Sequence, residues 1–269
     1  EVINFNDQKE MASRLGYEDR KGLMGVERFM RHYFLIAKEV GDLTRSICSI
    51  LEERQKKSVP VISKAISFLY AKNLDGFIVT SGRINVPRDS FFAEDPLNIL
   101  RLFYFSSEQN LLIHPNAVKI LRKSLGLVNV KLRSNIEAND LFLKILLSKK
   151  NAESTLRAMN ESGVLGRFIL DFGKIVGLMQ FNMYHHFTAD EHLLRAIGEL
   201  NKLFYSSKAS VPELVTDLIE EGLNKKILTI ALFFHDIAKG RDEDHSEAGA
   251  LIVEKFSDRF QLTDYEVET

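Results

Sequence analysis

Cysteine is almost missing from this chain: Cys48 is the single one in 269 residues. That excludes an internal disulfide framework and a cysteine-rich zinc site, and the helical, apolar surroundings of Cys48 predict a buried thiol. Charge of one sign is missing too, because 36 Lys and Arg stand against 37 Asp and Glu. The resulting net charge of −1 argues against a broad electrostatic footprint for nucleic acid, so no nucleic-acid partner is expected. Long apolar runs are absent as well. The strongest, "ILTIALFF" at 227–234, is far short of the roughly 20 residues that cross a bilayer, and no basic-then-apolar signal opens the chain. The expectation is a protein without a membrane partner, at home in the cytoplasm. Neither a fixed-period repeat nor a low-complexity tract is evident. What is present, 45% hydrophobic and 27% charged residues, suits a globular protein with one large domain or two ordinary ones.

Helical periodicity dominates. From Gly25, the residues Val26, Met30, Tyr33, Ala37, Val40, Thr44, Ile47 and Leu51 recur at steps of four and three. They predict one face of a helix about thirty residues long that packs against others. The charged "EERQKKS" (52–58) and Pro60 predict its end. Phe77, Val79, Ile84 and Val86 alternate around "SGR" (81–83), which predicts a small β-hairpin at about 77–86. In "EDPLNILRLFYFSSEQNLLIHPNAVKILRKSL" (94–125), Asp95 is expected to cap a helix with Pro96 at its first position, and Pro115 to open a second. "NIEANDLFLKILLSKK" and "AESTLRAMNESGVLGRFI" continue in the same way, with Gly163 and Gly166 as expected terminators. The fold class read from this pattern is all-α with one small hairpin.

Histidine is where the chain becomes specific. Five of its seven histidines, His185, His186, His192, His235 and His245, fall within one window of residues 185–245. Thr188 and Glu191 form a capping box, which places His192 in the first or second turn of a helix. A very apolar helix, roughly Lys225 to Lys239, carries His235 and Asp236 in its last turn before Gly240 stops it. Adjacent helical residues diverge by about 100°, so both reach one metal only where the helix end opens. Neutral imidazoles with a hard carboxylate suit Mn²⁺, Fe²⁺, Zn²⁺ or Mg²⁺, and open positions on such a metal activate water and grip a phosphate oxygen. Lys239 follows, and "DHSE" (244–247) makes another capping box that places His245 in the first turn of a third helix, an anion-binding arrangement. One such histidine alone is more often a hydrogen-bonded structural residue; the combination is rarer.

This arrangement of His192, His235-Asp236, Lys239 and His245 resembles the HD superfamily of metal-dependent phosphohydrolases. More narrowly, "MQFNMYHHFTADEHLLRAI", "LFFHDIAKGRDEDHSEAGA", "GLMGVERFMRHYFLIAKEVGDLTR", "GRINV" and "DPLNILRLF" resemble the bifunctional protein-PII uridylyltransferase / uridylyl-removing family along essentially the whole chain. The resemblance implies a helical region at 1–175, which follows the nucleotidyltransferase domain in the family, and an HD domain at 176–269 that is incomplete at its C-terminus. It implies an enzyme: a fragment carrying the half that hydrolyses tyrosyl-UMP on PII. The opening "EVINFNDQKEMASRLG" likewise reads as the middle of a longer chain.

By the same resemblance, a divalent metal, Mg²⁺ or Mn²⁺, is held by His192, His235 and Asp236. Lys239 and His245 act with Asp236 in catalysis, and His185, His186, Arg195 and Asp244 stand around the metal or the phosphate. The implied partners are PII and its UMP-modified form, with glutamine acting through ACT domains. The family's final metal-binding Asp lies in a later helix than this chain reaches, and Asp258 and Asp264 read as surface residues rather than substitutes. Bacterial tRNA nucleotidyltransferases share "EDPLNILRLF", but they usually carry Arg where Asn98 stands here. Two other readings are an HD-type nucleotide phosphohydrolase and a non-catalytic helical scaffold that binds a partner.

Overall fold

The computed structural model describes residues 4–55, 74–80, 82–179, 187–205, 213–241 and 245–268. Helix α1 (Phe5–Arg14) opens with a reciprocal cap: the Asn4 side chain accepts the Asp7 N–H at 3.0 Å, and the Asp7 carboxylate accepts the Asn4 N–H. Helix α2 (Gly25–Gln55) has the length that the periodicity predicts. Its first residue must be glycine, since a Cβ there would lie 2.2 Å from the Tyr17 carbonyl oxygen.

The predicted apolar face of α2 is only partly used. Val26 and Met30 are buried with Phe29 and Ala12, whereas Tyr33, Val40, Ile47 and Leu51 are 46–59% exposed. Periodicity shows that a face is apolar, not that something covers it. Cys48, on the same helix, is exposed, which corrects the expectation of a buried thiol.

The hairpin forms as expected from β1 (Ile78–Thr80) and β2 (Arg83–Asn85), antiparallel with Val79 opposite Ile84. It is followed by α3 (Phe91–Glu94) and α4 (Asn98–Glu108). Asp95 accepts the Leu97 N–H at 3.0 Å, but Pro96 lies in a turn before α4 rather than at its first position. A third strand, β3 (Leu112–Ile113), pairs parallel to β2 with Arg83 opposite Leu112. Two residues are too few to show alternation, so the sequence carried no sign of it.

Pro115 opens α5 (Pro115–Lys123) as predicted, with the His114 ring accepting the Asn116 N–H at 3.1 Å. Then come α6 (Val130–Arg133), α7 (Ile136–Leu146), α8 (Ala152–Glu161) and α9 (Leu165–Phe168). Gly163, at φ +82°, follows the end of α8 as expected. Gly166 does not terminate anything: it lies inside the single turn of α9, whose Leu165 and Phe168 are buried.

The remaining helices are α10 (Leu170–Ile175), α11 (Ala189–Tyr205), α12 (Glu213–Glu220), α13 (Lys225–Phe234), α14 (His245–Phe260) and α15 (Asp264–Glu268). The chain divides into two compact units. Residues 40–168 form one, where Phe103, Phe142, Leu156 and Phe168 are essentially sealed from solvent. Residues 1–39 and 169–269 form the other. Its core stacks Phe172 on Phe233 with ring centroids 5.7 Å apart, and sets Phe234 against Phe256 at 5.1 Å. Among the described residues, no helix is long and apolar enough to cross a membrane.

Candidate metal centre

Two helices of the second unit supply the site. Helix α11 starts immediately after Thr188, where the capping pair predicts, and the His192 N–H donates to the Thr188 carbonyl at 2.8 Å. His192 therefore lies in the first turn, with Leu193 and Leu194 beside it fully buried. Helix α13 begins at Lys225 under an Asn224 cap and ends at Phe234, a few residues short of the predicted Lys239. His235 caps it, and the chain then tightens: Ile237 N–H donates to the Phe234 carbonyl, and Lys239 N–H to that of Asp236, each at 3.1 Å. The helix end therefore tightens where the sequence led us to expect it to open, and consecutive residues still bring a ligand atom each to one point.

Gly240 ends the turn at φ +75°, a backbone conformation that suits glycine. A Cβ there would meet Leu178 Cδ2 at 2.8 Å. Leu178 in turn fixes the start of α11, because its carbonyl accepts the Ala189 N–H at 2.7 Å.

The predicted residues meet. One ligand atom each from His192, His235 and Asp236 lies within 4.8 Å of the others, and among the described residues no other group of three such side chains does so. His192 Nε2 is 3.6 Å from Asp236 Oδ2, His235 Nε2 is 3.3 Å from it, and Lys239 Nζ is 2.6 Å from it. The imidazole rings stand edge to face, 5.4 Å between centroids. His235 Nδ1–H donates to the Leu232 carbonyl at 2.7 Å, so its Nε2 is the nitrogen turned to the cluster.

Charge is balanced inside the group. Burial pushes the Asp236 carboxyl up, but hydrogen bonds from His235 and Lys239 outweigh it and hold the group well below the usual carboxylate range. The bond to Asp236 raises the His235 pKa, burial opposes that rise, and the Leu232 carbonyl adds to it. The result is an ionised, 7% exposed carboxylate facing two imidazoles and an ammonium.

Arg195 is engaged with Glu191 on its own helix at 2.7 Å and with the ring of Phe187, just before that helix, at 4.2 Å. His245 opens α14, with only its backbone described, while His185, His186 and Asp244 lie outside the described residues. Asp258 and Asp264 are exposed, as surface residues should be. Two supports were not foreseen. Asp190, 6% exposed, accepts the Gly177 N–H at 3.1 Å and so ties the first turn of α11 to the preceding loop. Asp171 accepts from Arg241 at 2.6 Å and Lys174 at 2.9 Å, which anchors the residue just after Gly240. Acidic residues in a first helical turn are common, which is why neither stood out.

Comparison with known families adds a second, independent line. Residues 77–168 match the family model described as the third domain of the uridylyltransferase GlnD, and residues 1–48 match that of the GlnD PII-uridylyltransferase. The chain belongs to the GlnD PII-uridylyltransferase family. Its family is therefore one of enzymes that act on the PII protein. In this GlnD-family chain both matched segments precede His192, so the match and the side-chain cluster are separate observations. The mostly helical fold with its small sheet agrees with the family.

Proposed function

We propose that this GlnD-family chain carries the uridylyl-removing reaction: hydrolysis of the phosphodiester that joins UMP to a tyrosine of PII. In this reading residues 1–175 are the helical region and an HD domain begins near residue 176. The observation that carries it is the convergence of His192, His235 and Asp236 at the end of an apolar helix.

The donor set fits a divalent ion such as Mg²⁺ or Mn²⁺: two imidazole nitrogens, one with its tautomer set by Leu232, and an ionised carboxylate of low exposure. Such an ion, when bound, supplies an acidified water and charge stabilisation at phosphorus. The chain's own residues do the rest. Asp236 would hold the cation by charge, and His192 and His235 would hold it by lone pairs. Lys239, only 11% exposed at its side chain, sets its Nζ 2.6 Å from the carboxylate, where it can meet a phosphate oxygen. His245, at the start of α14, is assigned to the phosphate as well, with His185, His186, Arg195 and Asp244 around it. PII and its UMP-modified form are the proposed partners, with glutamine acting through ACT domains and the cytoplasm as the compartment.

The test is Asp236→Asn, which keeps the shape and removes the charge. Release of UMP from uridylylated PII should fall about 100-fold or more, the scale on which loss of one charge-stabilising group acts. In a protein that performs both reactions, attachment of UMP should persist. Undiminished release would make the cluster structural, and equal loss of both activities would mean one shared site.

A further inference from the structure

Helix α11 is two-faced. Leu193, Leu194 and Ile197 are buried, while the side chains of His192 and Arg195 are open to solvent. These two stand three residues apart on the helix, where side chains are neighbours with Cβ atoms about 5–6 Å apart, so Arg195 borders the metal cluster. Phe187 brings an aromatic ring to the same border. It directly precedes Thr188, whose carbonyl accepts the first helical hydrogen bond from His192. An apolar side chain just before a helix cap commonly packs against an apolar one five residues on. Here the residue five positions on is His192. The ring lies instead under the Arg195 guanidinium, whose carbon is 4.2 Å from the ring centroid, and Phe187 remains 44% exposed. Glu191 holds Arg195 at 2.7 Å, so the guanidinium is tied in place over the ring.

We infer that Phe187 and Arg195 determine the specificity of the site: they form a plate on which an aromatic ring attached to the scissile phosphate stacks. This rests on the uridylyl-removing reading, in which the diester between UMP and tyrosine carries a flat ring on each side of phosphorus, the uracil base and the phenol. Aromatic faces stack on bases and aryl rings alike, and a guanidinium plane beside them extends the stacking surface. The metal cluster and Lys239 address the phosphate, which every phosphate ester has; Phe187 and Arg195 address what is attached to it.

The experiment measures binding to the intact chain, by calorimetry in saturating Mn²⁺, of UMP, phenyl phosphate and methyl phosphate. All three are phosphate monoesters that differ only in the attached group. At least one aromatic ligand should bind several-fold more tightly than methyl phosphate. A preference for UMP assigns the plate to the base, and a preference for phenyl phosphate assigns it to the tyrosyl ring. Phe187→Ala should weaken the preferred aromatic ligand about tenfold, the scale of one lost ring stack, and leave methyl phosphate unchanged. Phe187→Tyr keeps a ring and should keep the preference. Arg195→Lys keeps the charge but not the plane, and should lower the preference. Circular dichroism checks that the variants fold. No aromatic preference in the unsubstituted chain, or an equal loss of all three ligands in Phe187→Ala, overturns the inference, as does Phe187→Tyr behaving like Phe187→Ala. Asp236→Asn separates the two readings, because it should weaken all three ligands together. Methyl phosphate binding that survives Asp236→Asn sinks the metal-centre reading itself, whereas the expected Asp236→Asn loss with an unselective Phe187→Ala sinks only the plate.

Discussion

Gly240→Ala perturbs the turn that carries Asp236 and Lys239 in two separable ways. The first is conformational: at φ +75° an alanine occupies the left-handed region at a cost of about 1–2 kcal/mol. The second is steric, because the new Cβ lies 2.8 Å from Leu178 Cδ2 and Leu178 is itself 3% exposed. Overpacking costs about 1–3 kcal/mol, and a methyl at the end of a side chain gives way more easily than backbone, so about 1 kcal/mol is the better figure here. The sum is about 2–3 kcal/mol. For a chain of this size that lowers Tm by about 4–12 °C. Gly222→Ala is the matched control: φ is +100°, and nothing lies within 4 Å of its Cβ position, so only the first cost applies. Urea unfolding followed by circular dichroism should show Gly240→Ala the more damaging by about 1 kcal/mol. Since Leu178 also holds the first turn of α11, Gly240→Ala should weaken divalent-ion binding, and Gly222→Ala should leave it unchanged. Equal stability losses in the two variants would refute the steric argument and reduce Gly240 to a turn residue.

Asp190→Ala leaves the buried Gly177 N–H without its acceptor and should cost about 1–3 kcal/mol in urea unfolding, while Asp190→Asn, which keeps an acceptor oxygen, should cost clearly less. Asp171 has its pKa lowered: burial acts to raise it, but Lys174 and Arg241 outweigh burial. Its contribution is therefore fully present above the ordinary value of 3.8 and is lost as pH falls through the lower folded value. Asp171→Asn should then destabilise the protein by about 1 kcal/mol at pH 7 and by progressively less below pH ~4, and a penalty independent of pH would contradict the ion-pair account. Calorimetric titration with Mn²⁺ should show weak binding, because among the described residues the cluster has three protein ligands and no closing carboxylate. Tight stoichiometric binding would refute this and point to Asp258 or Asp264 as a further ligand.

The long α2 helix, the hairpin, the Pro115 helix start and the α11 start were legible in the sequence because each depends on neighbours within a few residues: periodicity, a turn, a proline or a cap. So were the types of His192, His235 and Asp236 and their positions at helix ends, which are local facts. The same locality explains the misses. Whether the apolar face of α2 is covered, whether Cys48 is buried and whether Leu112 and Ile113 pair with β2 depend on what lies opposite in space. Asp190 and Asp171 looked like ordinary helix-start acids until Gly177 and Arg241 were seen against them.

What the sequence by itself determined is the helical class, most of the element starts and the chemical types of the side chains in the candidate metal centre. Tertiary structure alone decided that His192 Nε2 comes within 3.6 Å of Asp236 from a helix forty-odd residues away. It also decided that residues 1–39 join 169–269 in one compact unit. The physical reason is that caps and periodicity are set by short stretches of chain, whereas burial, charge balance and ligand geometry belong to contacts between segments that chain order does not bring together.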